Sequence, residues 1–223
     1  MKEFQYRVGI LDDDATKITQ LIPSIRSCCK DDEGQIRNMK YAPYSLSPIE
    51  IPLLSAEEDM INAIIESRID AIIVDYKLSS QQAIAYTGVS IAQKLSERLC
   101  GFPIFILTSY QDDLFVRESF DAYQVFEFAR YIGEPLERIE LNIKIIEQIE
   151  KYNREKLSWE EELKTLLPHT GESASIDERI LMLDSKLEKA IEGKSFLTEK
   201  LKRELTFDKV QSLIEKIDKI IES

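Results

Sequence analysis

The stretch Val8 to Ala15, VGILDDDA, is a short apolar run that ends abruptly in three consecutive aspartates, Asp12, Asp13 and Asp14. A buried strand whose tip carries clustered carboxylates is electrostatically unfavourable unless a cation or a proton neutralises it. The arrangement therefore calls for a ligand, and a hard divalent ion is the expected one. Asp70 to Asp75, DAIIVD, is a second apolar run ending on a carboxylate, Asp75. In an open parallel sheet both strand ends lie at the same carboxyl edge, where α/β folds place their sites. The two sets of carboxylates can then converge.

Outward from these two runs, the first 150 residues alternate strand-like and helix-like segments, the pattern of a parallel sheet with helices on both faces. Strands are expected at about Tyr6 to Leu11, Arg37 to Tyr44, Ala71 to Val74, Phe102 to Leu107 and Val125 to Ile132. Between them, Ile18, Leu21, Ile22 and Ile25 mark a helix with Pro23 as a kink. Ser55 and Glu58 form a capping box ahead of the stripe Met60, Ile61, Ile64 and Ile65. Gly88 to Leu99 and Asp112 to Phe120 read as two more helices, and Pro135 opens a long one carrying Ile139, Ile143, Ile146 and Ile149. The expectation is five strands and five helices in residues 1–151, a flavodoxin-like α/β domain.

Residues 152–223 read as an all-helical extension. Pro168 to Ser175, PHTGESAS, is a linker by content. Ile180, Leu183, Leu187, Ala190, Leu197 and Leu201 follow a three-four alternation broken at Lys194, and Val210, Leu213, Ile214, Ile217, Ile220 and Ile221 give a last amphipathic helix. Such stripes are more often a bundle core or short coiled coil than a cofactor site. They cannot all be buried by so short a segment, so self-association or partner docking is expected.

The formal charge is −12, and most of the excess lies in the first 150 residues. That balance opposes a sequence-independent grip on nucleic acid, and the last part of the chain holds no compact basic helix-turn-helix. Cys28, Cys29 and Cys100 lack metal-ligand spacing, and the adjacent pair does not bridge easily, so reduced thiols in a cytoplasmic protein are expected. Neither a signal peptide nor a membrane-crossing run is read. The single histidine, His169, sits in a polar stretch and is expected to be a solvated loop residue.

Over roughly Tyr6 to Lys151 these residues resemble the receiver domain of bacterial two-component response regulators. In that family an acidic pair ends strand one, a phosphorylated aspartate ends strand three, a Thr or Ser ends strand four, and a Lys precedes a proline after strand five. Here Asp12 and Asp13 match the acidic pair, Asp75 the phosphoacceptor, and Thr108 of FILTSY the hydroxyl, while Tyr131 of YIGEP fits the aromatic switch position. The lysine is missing, because Glu134 precedes Pro135. The resemblance implies Mg²⁺ held by Asp13, Asp75 and the backbone carbonyl of Lys77, with Asp12 acting mostly through water. It also implies phosphorylation of Asp75 by a histidine kinase or phosphotransfer protein, Thr108 and Tyr131 as the switch, and a non-enzymatic output through protein contacts.

Glu134 departs from that pattern, since a carboxylate beside a phosphoryl group repels it by several kcal/mol at short range. Three outcomes stay open: Lys77 supplies the missing charge, the metal alone supports a slower switch, or the protein is a phosphate-independent pseudo-receiver scaffold. A second departure is the length of the loop after Asp75. The family places a glycine sooner, whereas Gly88 lies thirteen residues on, so LSSQQAIAYT is expected to overhang the pocket. A Mg²⁺-dependent phosphohydrolase is the enzymatic alternative, because Asp12 and Asp14 meet a DxD spacing. The chain has no GxGxxG or GxxxxGK[ST] phosphate loop.

Overall fold

The computed structural model describes residues 3–78, 84–109 and 125–192. Five parallel strands, β1 (Phe4–Leu11), β2 (Tyr44–Glu50), β3 (Ala71–Asp75), β4 (Ile104–Thr108) and β5 (Val125–Glu127), lie in the order β2-β1-β3-β4-β5. This is the flavodoxin-like doubly wound order. The helices are α1 (Ala15–Arg26), α2 (Glu57–Glu66), α3 (Gly88–Arg98), α4 (Phe128–Gly133), α5 (Pro135–Leu166) and α6 (Ala174–Glu192).

Strand residues alternate between the faces, and both faces of the sheet are covered. Val8, Ile10, Ile73, Phe105 and Leu107 pack with Ile18, Leu21 and Ile25 of α1 and Leu141, Ile145, Ile146 and Ile149 of α5. On the other face Leu11, Ile72, Val74 and Ile106 meet Met60, Ile61 and Ile64 of α2 and Ile91, Ala92 and Leu95 of α3. Strands β3 and β4 are buried at every residue, which is why each reads as an unbroken apolar run.

Three expected elements are corrected. The second strand begins at Tyr44, where it was expected to end, and runs through Pro48, which pairs in register with Val8. An edge strand tolerates a residue without an N–H, and β2 is an edge. The box at Ser55 does not form: Ala56 precedes α2 without a side-chain cap, and Glu57 and Glu58 instead pair with Lys94 and Arg98 of α3. Strand five stops at Glu127, after which Phe128 begins a short helix that buries Tyr131. The expected helix Asp112 to Phe120, the stripe positions Leu197 and Leu201 and the last amphipathic helix lie outside the described residues.

Asn142 is a polar residue within the apolar stripe of α5 and is fully buried. Its Oδ1 accepts from the Tyr131 hydroxyl at 3.0 Å, and its Nδ2 donates to the carbonyls of Ser24, at 3.0 Å, and Cys28, at 2.8 Å. It ties the end of α1 to α4 and α5. Asn142→Leu keeps the branched shape but strands the Cys28 carbonyl and the Tyr131 hydroxyl. It should cost about 3 kcal/mol in urea unfolding. Tyr131→Phe should recover part of that loss in the double variant, and strict additivity would contradict the contact.

The chain divides into two compact units, Met1–Arg154 and one from Glu155 onward. The second contains an antiparallel helical hairpin: Arg179 pairs with Glu162 at 2.6 Å, and Lys186 lies over the Trp159 ring. Leu183, Leu187 and Ala190 of the predicted stripe are buried. The PHTGESAS segment forms the turn, with Gly171 at φ 85° and Ser173 accepting from the Ile176 N–H to start α6. His169 is exposed there beside Glu172. Among the described residues no helix is long and apolar enough to cross a membrane.

Candidate functional site

Strands β1 and β3 are neighbours, with Leu11 opposite Val74, so the residues that follow leave the sheet side by side. Asp12, Asp13 and Asp75 are all buried there, and each offers a carboxylate oxygen within 4.8 Å of the others. The third aspartate of the run takes a different part: Asp14 accepts from the Thr16 N–H at 2.8 Å and caps α1. Asp14 thus stands outside the group of three carboxylates that the strand ends bring together.

The cap also fixes the start of α1, placing Lys17 at its third residue, and helical side chains lean back towards the N-terminus. The Lys17 ammonium donates to Asp75 Oδ1 at 2.8 Å, stands 3.9 Å from Asp12 Oδ2, and lies 5.7 Å from the centre of the Phe128 ring. The other Asp75 oxygen, Oδ2, accepts from the Lys77 N–H at 2.9 Å. Asp12 Oδ1 accepts from the Asp14 N–H, whereas its Oδ2 is buried without a hydrogen bond.

Among the described residues, three carboxylates face one ammonium, which leaves a buried excess of negative charge once all three are ionised. Burial and the neighbouring Asp75 push Asp12 up to about 7, outweighing the Asp14 N–H and Lys17. Asp75 is raised in the same direction, chiefly by burial, with Lys17 and the Lys77 N–H opposing. Burial works against the charge on Lys17, but Asp75 and Asp12 hold its pKa above the ordinary lysine value. The Asp12 oxygen that lacks a hydrogen bond, the all-oxygen donor set and the residual charge together fit a hard divalent cation.

The structure thus brings together Asp12, Asp13 and Asp75. Thr108 is buried at the end of β4, one residue beyond Leu107, the partner of Asp75. Tyr131 is buried on Asn142, and burial holds its phenol far above the usual range, so it is a neutral donor. Lys77 contributes its backbone, while its ammonium lies by the Tyr76 ring, 5.8 Å from the centre. Glu134 follows α4 rather than a strand end, is 56 % exposed, and pairs with Arg130 at 3.5 Å. The strand end itself carries Glu127, opposite Thr108. In the long loop after Asp75, Leu78 and Tyr86 are buried in the α2 and α3 face of the core, and residues 79–83 lie outside the description.

No protein-family model matches the chain, and no curated protein matches it in sequence. Solved structures that resemble it include a fusion containing residues 181–211 of the yeast Spc42 trimeric coiled coil, at 14% identity and TM-score 0.43, covering 76% of this chain and 99% of that one. Another is the apo receiver domain of nitrogen regulatory protein C, at 15% identity and TM-score 0.41, covering 66% of this chain and 97% of that one. At such distances the likeness says nothing of the site, whose chemistry has to be read from its own residues.

Proposed function

We infer that the protein is a receiver-like signalling protein that accepts a phosphoryl group on Asp75 and acts through protein contacts rather than catalysis or nucleic-acid binding. The observation that carries this is the buried Asp12, Asp13 and Asp75 cluster at the carboxyl edge of a doubly wound sheet. Asp75 is the nucleophile because it alone ends a central strand, has both oxygens oriented by donors, and faces the Thr108 end of β4.

In the transfer, one Asp75 oxygen attacks phosphorus and the bond from phosphorus to the donor's leaving oxygen or nitrogen breaks. The leaving group departs with the electron pair. A histidine kinase, a phosphotransfer protein or a small acyl phosphate has the required chemistry. Asp12, Asp13, Asp75 and the Lys77 carbonyl would hold Mg²⁺, which would supply charge neutralisation for the carboxylates and the transferring oxygens. Thr108 hydrogen-bonds the new acyl phosphate, and the Tyr131–Asn142 tie to the end of α1 is the element such a contact biases. The helical unit beyond Arg154 carries the output through partner docking or self-association. It exposes Leu157 and Leu167.

The test is incubation of the full chain with Mg²⁺ and acetyl phosphate, read by intact mass. One added phosphoryl group is expected in the wild type and none in Asp75→Asn. An unlabelled wild type, with acetyl phosphate and with a cognate kinase alike, overturns phosphoacceptance and leaves the phosphate-independent scaffold.

A further inference from the structure

We propose that Lys17 is the phosphoryl-binding cation of this site, taking over from α1 the task that the family assigns to a lysine after strand five. The inference rests on the phosphoacceptor reading of Asp75. Strand β5 ends in Glu127 and Glu134 pairs with Arg130, so neither supplies positive charge at the carboxylates. Lys77 is exposed, with its ammonium by the Tyr76 ring. Among the described residues, the ammonium that stands at the cluster is that of Lys17, 2.8 Å from Asp75 Oδ1. Any group joined to Asp75 comes within a hydrogen bond of it.

Position supports the same assignment. A lysine in the first turn of a helix opposes the helix dipole, where acidic side chains are favoured, and α1 has no acidic residue in that turn to offset it. The local cost is met by the carboxylates it faces. Its ammonium lies 5.7 Å from the centre of the Phe128 ring, and its side chain is 21 % exposed, enough for the head to follow the added phosphoryl oxygens. In the resting site Lys17 therefore competes with the divalent ion for Asp75 and Asp12, and in the loaded site the two cations divide the charge.

Two readouts on the full chain separate this from a structural ion pair. Lys17→Met, which keeps the length of the stem, should bind Mg²⁺ at least tenfold more tightly by calorimetry, because a competing cation is gone. Its labelling by acetyl phosphate at saturating Mg²⁺ should nevertheless fall at least tenfold. Tight Mg²⁺ binding also reports that the variant's site is folded. Lys17→Arg, which keeps the charge, should recover most of the labelling. Equal labelling of wild type and Lys17→Met sinks the role of Lys17 and leaves Asp75 as acceptor. Failure of Lys17→Arg to label better than Lys17→Met sinks it too. An unlabelled wild type sinks both.

Discussion

Gly88→Ala should destabilise the protein by about 3 kcal/mol or more, the upper range for forcing atoms into a packed core, and should weaken Mg²⁺ binding at the same time. A Cβ at position 88 would stand 1.8 Å from the Asp75 carbonyl oxygen and 2.9 Å from Val74 Cγ1. The obstacle is the backbone of a central strand, so no side-chain rotation relieves it. Either α3 moves off β3, opening the buried contacts of Ile91, Ala92 and Leu95, or β3 shifts and carries Asp75 out of line with Asp12 and Asp13. Urea unfolding measures the first consequence and calorimetry with Mg²⁺ the second. A loss below 1 kcal/mol with unchanged Mg²⁺ binding would contradict the close approach of α3 to the strand end.

Gly88 also illustrates what the sequence discloses and what it does not. Its lateness after Asp75 is visible as an enlarged loop, but its contact with the Asp75 carbonyl depends on where the loop returns, which no local pattern specifies. The central strands and the strand-end carboxylates were legible because burial on both faces demands unbroken apolar runs, and because charge at the tip of such a run is costly. Strand β2 was misplaced since Pro48 argues against a strand unless the strand is known to be an edge, a property of the sheet rather than of the segment. Glu134 was assigned to the site on its spacing to Pro135. That spacing assumes the chain is extended up to the proline, whereas α4 intervenes.

Lys17 carries a signal in the sequence itself. With Asp14 as a cap, DDDATK places a basic residue in the first helical turn, where local electrostatics disfavours it, and such a broken local rule points to a functional contact. Asn142 had a weaker one, a single amide within the run LNIKII. Its partners, the carbonyls of Ser24 and Cys28, are more than a hundred residues away and became evident only once α1 and α5 were seen on one face of the sheet.

Without divalent cation, the ionisation of Asp12 should lower stability as pH rises from about 4 to 7, and Mg²⁺ should flatten that fall. Asp12 holds its proton in the folded site up to about 7, whereas in the unfolded chain it releases it near its ordinary value of 3.8. Between those limits the folded state binds more protons than the unfolded one, so the sign of the linkage is loss of stability with rising pH, complete above about 7. A displacement of three units corresponds to at most about 4 kcal/mol, and Asp75 acts in the same direction. Asp14, held low by the Thr16 N–H, Asp31, held low by the Gln35 N–H, and Glu57, held low by Lys94, have the opposite sign. Their stabilisation is lost only as the solution becomes more acidic than the ordinary carboxylate range, so the two effects occupy separate windows. A bound Mg²⁺ would replace the proton as the neutralising charge, so its increment in melting temperature should be larger at pH 8 than at pH 5.5. Asp12→Asn removes the ionisation: in metal-free buffer it should be more stable than wild type at pH 8, and that advantage should shrink by more than half at pH 5. Thermal unfolding of both proteins across this range measures the difference. A metal-free wild type that gains stability relative to Asp12→Asn between pH 5 and 8 would reverse the sign and remove the charge excess on which a divalent cation at this site depends.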